Sequence, residues 1–175
     1  MTTWTIPVLT TDRLVLRAPV CEDIPAFTAF YTSPRSHIVG GPLDARGAYR
    51  AMLAGFGAWA LRGYGLWHIA ERASDRFLGW TGVIFAPGWA EPELGWTLMA
   101  EAEGKGIAFE AATAARDHAA RALGIDRMIS YIAPHNARSQ ALARRLGARH
   151  EADGTLLGHD VQIWRHPAIS GGATG

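Results

Sequence analysis

The run Gly104-Lys105-Gly106-Ile107-Ala108 places two glycines around a lysine directly before a helix-forming stretch. N–H groups at the start of a helix have no partner inside it and attract an anion, and glycines let a phosphate approach the backbone closely. The segment therefore reads either as a pyrophosphate-binding turn or as a plain turn between two elements. Two other phosphate motifs fail on residue identity. A dinucleotide loop needs G-x-G-x-x-G/A in the first strand–helix unit, with an acidic residue about 20 positions on. Here the loop lies past the middle of the chain, and Phe109 stands where the third small residue belongs. A Walker loop needs Ser or Thr after Gly-Lys, and this chain has Gly106.

A strand must deliver the chain to this loop and a helix must leave it. Leu94, Trp96 and Leu98 alternate in Glu93–Met99 and predict that strand; the spaced alanines from Ala108 to Ala122 predict the helix, with Gly124 as its C-cap. Upstream, Arg13–Arg17 alternates charged and apolar residues as a half-buried strand does. Glu22–Tyr31 carries apolar residues at helical spacing until Ser33-Pro34 ends it. Asp44 predicts the N-cap of a helix to about Leu61. Leu66–Ala70 and Phe77–Phe85 read as strands around an Ala73-Ser74-Asp75 turn. Downstream, Arg127–Ile132 predicts a strand, Asn136 opens a helix through Arg145, and two weaker strands fall near 148–152 and 160–164. The order predicts an α+β fold.

The bulk numbers restrict the class. A chain of 175 residues, 49% hydrophobic and 19% charged, suits one globular domain, read here as residues 1–169 with a flexible Gly-rich tail at 170–175. Lys+Arg number 17 against 16 Asp+Glu, a balance that argues against a dedicated nucleic-acid binder. Cys21 is the only cysteine, so neither an intrachain disulfide nor a Cys-rich metal site is expected, and a reducing compartment is. His150, His159 and His166 are too scattered for a metal site. The opening residues lack a signal peptide's pattern, and no apolar run reaches about 18 residues, so a cytoplasmic protein without membrane association is predicted. The apolar composition is compatible with a homodimer.

Four motifs in order carry a family resemblance: Leu9-Thr10-Thr11-Asp12-Arg13-Leu14-Val15-Leu16-Arg17, Glu93-Leu94-Gly95-Trp96, Gly104–Ala111, and Asn136-Ala137-Arg138-Ser139 with Leu146-Gly147. Together they resemble the GNAT superfamily of acetyltransferases, in its ribosomal-protein N-terminal acetyltransferase (RimJ/RimL-like) branch, over residues 9–147. The resemblance implies a mostly antiparallel twisted sheet flanked by helices, with two strands splayed at the cofactor site. It implies acetyl-CoA as co-substrate, held by backbone groups of Leu98 and Met99 on its pantetheine arm. N–H groups of Gly104, Lys105, Gly106, Ile107 and Ala108 would hold the pyrophosphate. Asn136 would contact pantetheine, and Ser139 would lie near the thioester sulfur. Where the superfamily often has Gln or Arg before the loop this chain has Glu101, and Glu103 adds to an acidic approach that Lys105 partly offsets.

The implied reaction needs a neutral amine. A protein α-amine, with pKa about 7.7–8.0, is roughly one-tenth neutral at pH 7, whereas a lysine near 10.4 is held protonated by about 4–5 kcal/mol. A protein N-terminus or a weakly basic small-molecule amine therefore suits a weak base. Glu93 is the first candidate for that base and Glu91 the second; each reads equally as a solvated carboxylate at a strand end. His68 and His135 are candidate proton relays or ordinary histidines. Many GNAT enzymes use a last-helix tyrosine to protonate the leaving thiolate; here Ala143 holds that position. The resemblance transfers the role to Ser139, which reads equally as a first-turn residue bonding the backbone. Tyr131 is a reserve donor. Arg35, His37 and Gly40-Gly41-Pro42 are expected to form a mobile acceptor rim, and Trp59, Trp67, Trp80, Trp89 and Trp96 either pack the core or line an acceptor groove. Direct transfer in a ternary complex follows; the alternative is a catalytically silent CoA-binding module.

Overall fold

The structure is a computed structural model that describes residues 5–169; the predicted Gly-rich tail and the first four residues lie outside the described residues. An eight-stranded sheet runs in the order β1-β2-β3-β4-β5-β6-β8-β7. The strands are β1 (Leu9–Thr10), β2 (Leu14–Arg17), β3 (Leu66–Glu71), β4 (Phe77–Ile84), β5 (Glu93–Leu98), β6 (Ile129–Ile132), β7 (Arg149–Leu156) and β8 (His159–Arg165). Every neighbouring pair is antiparallel except β5 and β6. The helices are α1 (Ile24–Tyr31), α2 (Ala45–Arg62), α3 (Ile107–Leu123) and α4 (Ala137–Arg145).

Side-chain alternation assigns the two faces. Trp67 and Ile69 of β3 join Leu94, Leu98 and the alanine stripe of α3 in one buried cluster. Trp80 of β4, opposite His68 of β3, faces the other way and packs with Phe77, Met99, Phe27, Phe30 and Met52 under α1 and α2. Small alanines on α3 let it lie close to the sheet, so the loop preceding it is anchored at the C-terminal end of β5.

Most expected elements form with shifted ends. Asp44 caps α2 by accepting from Gly47 N–H at 2.6 Å, and Gly124 closes α3 in the left-handed conformation. The first helix starts at Ile24 rather than Glu22, after a 3-10 turn at Cys21–Asp23. The final strands are longer than expected and form a full hairpin, turning at Leu157-Gly158 with φ of 50° and 84°. The expected acceptor rim includes a 3-10 segment, Pro34–Val39. Its buried Ser36 hydroxyl lies within bonding distance of the Tyr31 and Ser33 carbonyls (3.0 and 2.8 Å). The Gly41 backbone sits so close behind that a Cβ there would fall 2.0 Å from Ser36 Oγ.

Candidate active site

β5 and β6 pair at one position, Glu93 opposite Ile129, and then part. Side chains take over where the ladder stops. Ser130 Oγ donates to the Leu94 carbonyl at 2.6 Å, and Tyr131 N–H donates to Glu93 Oε1 at 3.2 Å. The other Glu93 oxygen accepts from Trp89 Nε1 at 2.6 Å. Farther along, Trp96 Nε1 donates to Ser139 Oγ at 3.3 Å, linking β5 to α4 where backbone pairing has ended. The cleft is therefore a gap between two parallel strands, lined by Glu93 and Ser139.

Glu93 is only 8% exposed. Burial pushes its carboxyl up to about 7, against the opposing pull of the Trp89 and Tyr131 hydrogen bonds. A carboxyl that titrates near neutrality is matched to taking a proton at working pH. Glu91 differs: its hydrogen bonds to the Arg165 fork hold it below the usual range, so it is a structural partner of β8. Ser139 N–H donates to Asn136 Oδ1 at 3.1 Å, an N-cap on α4. Ser139 Oγ is the acceptor from Trp96, so its own proton has no acceptor among the described residues. Ala143 is fully buried with Ile132, Ala148 and Trp164 and offers no proton donor.

The strand edge and the loop fit an extended phosphate-bearing ligand. Met99 N–H donates to Leu78 O on β4 at 2.9 Å, which sets the alternation. Leu94, Trp96 and Leu98 then turn their backbone groups toward the gap. The Leu98 carbonyl accepts from Arg35 at 3.3 Å, and its second lone pair stays available. Trp96 backbone groups belong to this edge as well, which period-two alternation would have shown. Gly104 and Gly106 adopt φ of 72° and 76°, a region L side chains rarely occupy. Gly106 is the N-cap of α3 and no side chain caps that helix, so its first N–H groups remain free for an anion.

Two clusters that the sequence could not display brace this loop. Glu110, from the first turn of α3, accepts from Thr11 Oγ1 at 2.6 Å, Arg13 N at 3.0 Å and Arg13 Nε at 2.7 Å. Arg13 Nη1 then donates to the Lys105 carbonyl at 2.9 Å. The first and third motifs are thus two halves of one brace. Glu103 accepts from Arg35 at 2.6 Å and from Arg138 of α4, so the acidic approach expected from Glu103 is neutralised in place. Beside the loop a cavity of about 550 Å³ is lined by Lys105, Gly106, Phe109, Thr113 and Arg145 among others. Arg145 lies over the Phe109 ring at 4.2 Å.

The remaining candidates separate. His68 is buried and bonded to Asp23, while His135 is exposed. Tyr131 contributes its backbone N–H to Glu93. Trp59 and Trp67 pack the core, Trp89 and Trp96 hold Glu93 and Ser139, and Trp80 lines a smaller cavity. Among the described residues no group of three or more His, Cys, Asp or Glu could hold a metal ion, and no helix is long and apolar enough to cross a membrane.

A sheet parted between two parallel strands, in front of an uncapped helix behind a glycine turn, defines an acyltransferase that holds an extended, phosphate-tailed donor. The chain belongs to the GNAT acetyltransferases: residues 13–149 match the family described as "Acetyltransferase (GNAT) domain". Among solved structures, an acetyltransferase from Agrobacterium tumefaciens str. C58 is 34% identical with a TM-score of 0.86, over 95% of this chain and 98% of that one. RimL, a ribosomal L7/L12 alpha-N-protein acetyltransferase solved with coenzyme A, is 20% identical with a TM-score of 0.76, over 93% and 98%. An acetyl transferase from Salmonella typhimurium that modifies the N-terminal serine of L7/L12 is 20% identical with a TM-score of 0.74, over 91% and 96%. The protein is an acetyltransferase that uses acetyl-CoA.

Proposed function

We propose that the protein is a cytoplasmic N-acetyltransferase that passes the acetyl group directly to a primary amine in a ternary complex. Glu93 is the general base and Ser139 the proton donor. The observation that carries this reading is the buried Glu93 carboxyl, poised near pH 7 at the point where β5 and β6 part. Acetyl-CoA supplies a thioester, an acyl group activated toward amines. The Leu98 edge and the Asn136 amide nitrogen hold its pantetheine arm, and the free N–H groups from Gly104 to Ala108 hold its pyrophosphate. Lys105 and Arg145 offer positive charge to the nucleotide end. Glu93 takes a proton from the substrate ammonium, directly or through a water, freeing the neutral amine to attack. As the adduct collapses, Ser139 passes its hydroxyl proton to the departing sulfur and is reprotonated by the proton that the adduct nitrogen loses. Positioning and polarisation provide the rest of the rate without a covalent enzyme intermediate.

The acceptor is a protein N-terminal α-amine, as for the L7/L12 enzymes among the structural neighbours, or a small-molecule amine. Initial rates with acetyl-CoA and a panel of serine-starting peptides and alkylamines test the reading. Intersecting double-reciprocal lines are expected. Parallel lines would contradict direct transfer, and the absence of amine-dependent CoA release across the panel would remove the amine from the reaction.

A further inference from the structure

On the face of the sheet that carries Glu93, α1 and α2 cover a second, narrow cavity of about 30 Å³, the share of a single water molecule in the liquid. Its walls include Phe27, Tyr31, Phe56 and Trp80. Tyr31 and Trp80 stack at 5.6 Å with 9° between planes, and Phe27 lies 4.8 Å from Trp80. His68 completes the lining. Its Nδ1 is 2.7 Å from Asp23 Oδ2, and Asp23 also takes the Arg17 fork at 2.8 and 3.0 Å. An ionised carboxylate only accepts, so Nδ1 is the donor, and Nε2 is the nitrogen left to accept in the corresponding neutral tautomer. Arg17 already supplies the counter-charge to Asp23, and His68 Nε2 has no hydrogen-bond partner among the described residues.

We infer that this cavity binds a protonated amine of the acceptor, separate from the amine that is acetylated, so that the acceptor is a linear di- or polyamine. The inference rests on the reading above that a primary amine is the acceptor and Glu93 its base, and adds that the acceptor lies along this face. Three occupants compete for the space. An anion would meet the negative faces of the aromatic rings. A hydrocarbon group would fit but leave His68 Nε2 unmatched. An ammonium group satisfies both, through cation–π attraction and an N–H bond to Nε2. The register fixes the reach. Trp80 lies opposite Thr97, on the same face as Glu93 and two strand repeats away. At about 3.3 Å per residue that is roughly 13 Å along the strand, which sets the scale of the separation between the two nitrogens.

The test uses diaminooctane, octylamine and octanediol on the whole protein. Titration followed by tryptophan fluorescence should show saturable binding of diaminooctane at least about tenfold tighter than octanediol. Tyr31→Leu and Phe56→Leu, each chosen to preserve bulk, should abolish that preference while acetyl-CoA still raises the melting temperature of both variants. In turnover, KM for diaminooctane should be at least about tenfold below that for octylamine, with similar kcat. Equal KM values for the two amines would overturn the cavity assignment and leave the acetyltransferase reading intact. Binding of octanediol as tight as diaminooctane, or an unchanged preference in both variants, would also overturn it. Tight diaminooctane binding without its turnover, while other amines are acetylated, would overturn the diamine as acceptor; no turnover with any amine would count against the amine-transfer reading.

Discussion

Because the Glu93 carboxyl bridges Trp89 and the Tyr131 N–H where the β5–β6 ladder ends, it shapes the cleft in which we propose it as the base. The proposed base acts in its ionised form, so kcat/KM should rise with pH through about 7 and then level. Glu93→Gln should flatten that limb and lower kcat/KM by roughly 10², with acetyl-CoA affinity kept. A limb that persists in the variant would assign the titration to another group. Ser139→Ala should lower kcat at least about tenfold with little change in acetyl-CoA affinity. Unchanged turnover would return Ser139 to bonding Trp96 and Asn136 alone. Glu93 and Ser139 were legible as candidates from residue type and motif, but burial, which separates Glu93 from Glu91, is a property of the folded chain.

At the scale of elements, the strand–glycine–helix unit was legible because alternation, paired glycines and an alanine stripe are local signals. Its brace was not. Glu110 and Arg13 lie 97 residues apart, and only the finished sheet brings β2 beside α3. The same holds for Glu103, whose acidity looked unfavourable until Arg35 and Arg138 arrived from two other elements. Leu157-Gly158 makes a left-handed turn with a leucine in its first position, which is why the terminal hairpin read as two weak strands. Removing the brace should loosen the loop without dismantling the cleft. Glu110→Ala is expected to raise KM for acetyl-CoA several-fold while kcat stays near wild type, and Glu110→Gln, which still accepts from Thr11, should recover part of the loss. A fall in kcat with KM unchanged would contradict a brace.

Across the whole molecule, the parting of β5 and β6 places a second buried ionisable group beside the first. His166 bonds Ser130 Oγ through Nε2 at 2.9 Å; since Ser130 donates to Leu94, the imidazole is the donor and its Nδ1 is buried without a partner. Burial, with the charge of Arg116 adding to it, pushes His166 down to about 4 from an ordinary 6.5. Between those values the unfolded chain binds the proton and the folded one does not, so stability falls as pH drops from 6.5 to 4. The effect is roughly 3 kcal/mol at about 1.36 kcal/mol per unit. Glu93 acts in the opposite sense: folded near 7 against 4.5 unfolded, it makes stability fall as pH rises across that window. The stability of wild type relative to His166→Leu, read by urea unfolding, should therefore fall by roughly 3 kcal/mol from pH 6.5 to 4; parallel curves would place the acid sensitivity elsewhere.

Thermal unfolding with and without excess acetyl-CoA tests the cofactor site most directly, using wild type beside Gly106→Asp, which forces a side chain into a φ of 76° and sets its Cβ 3.4 Å from Arg13 of the loop's brace. Ligand at about 100 times its dissociation constant adds about 2.7 kcal/mol, which for a domain of this size raises the melting temperature by roughly 5–10 °C. The structure predicts that rise in wild type, none with NAD or ATP, and none in Gly106→Asp. No rise in wild type at millimolar acetyl-CoA, or an equal rise in Gly106→Asp, would contradict the assignment of the uncapped α3 terminus to the donor.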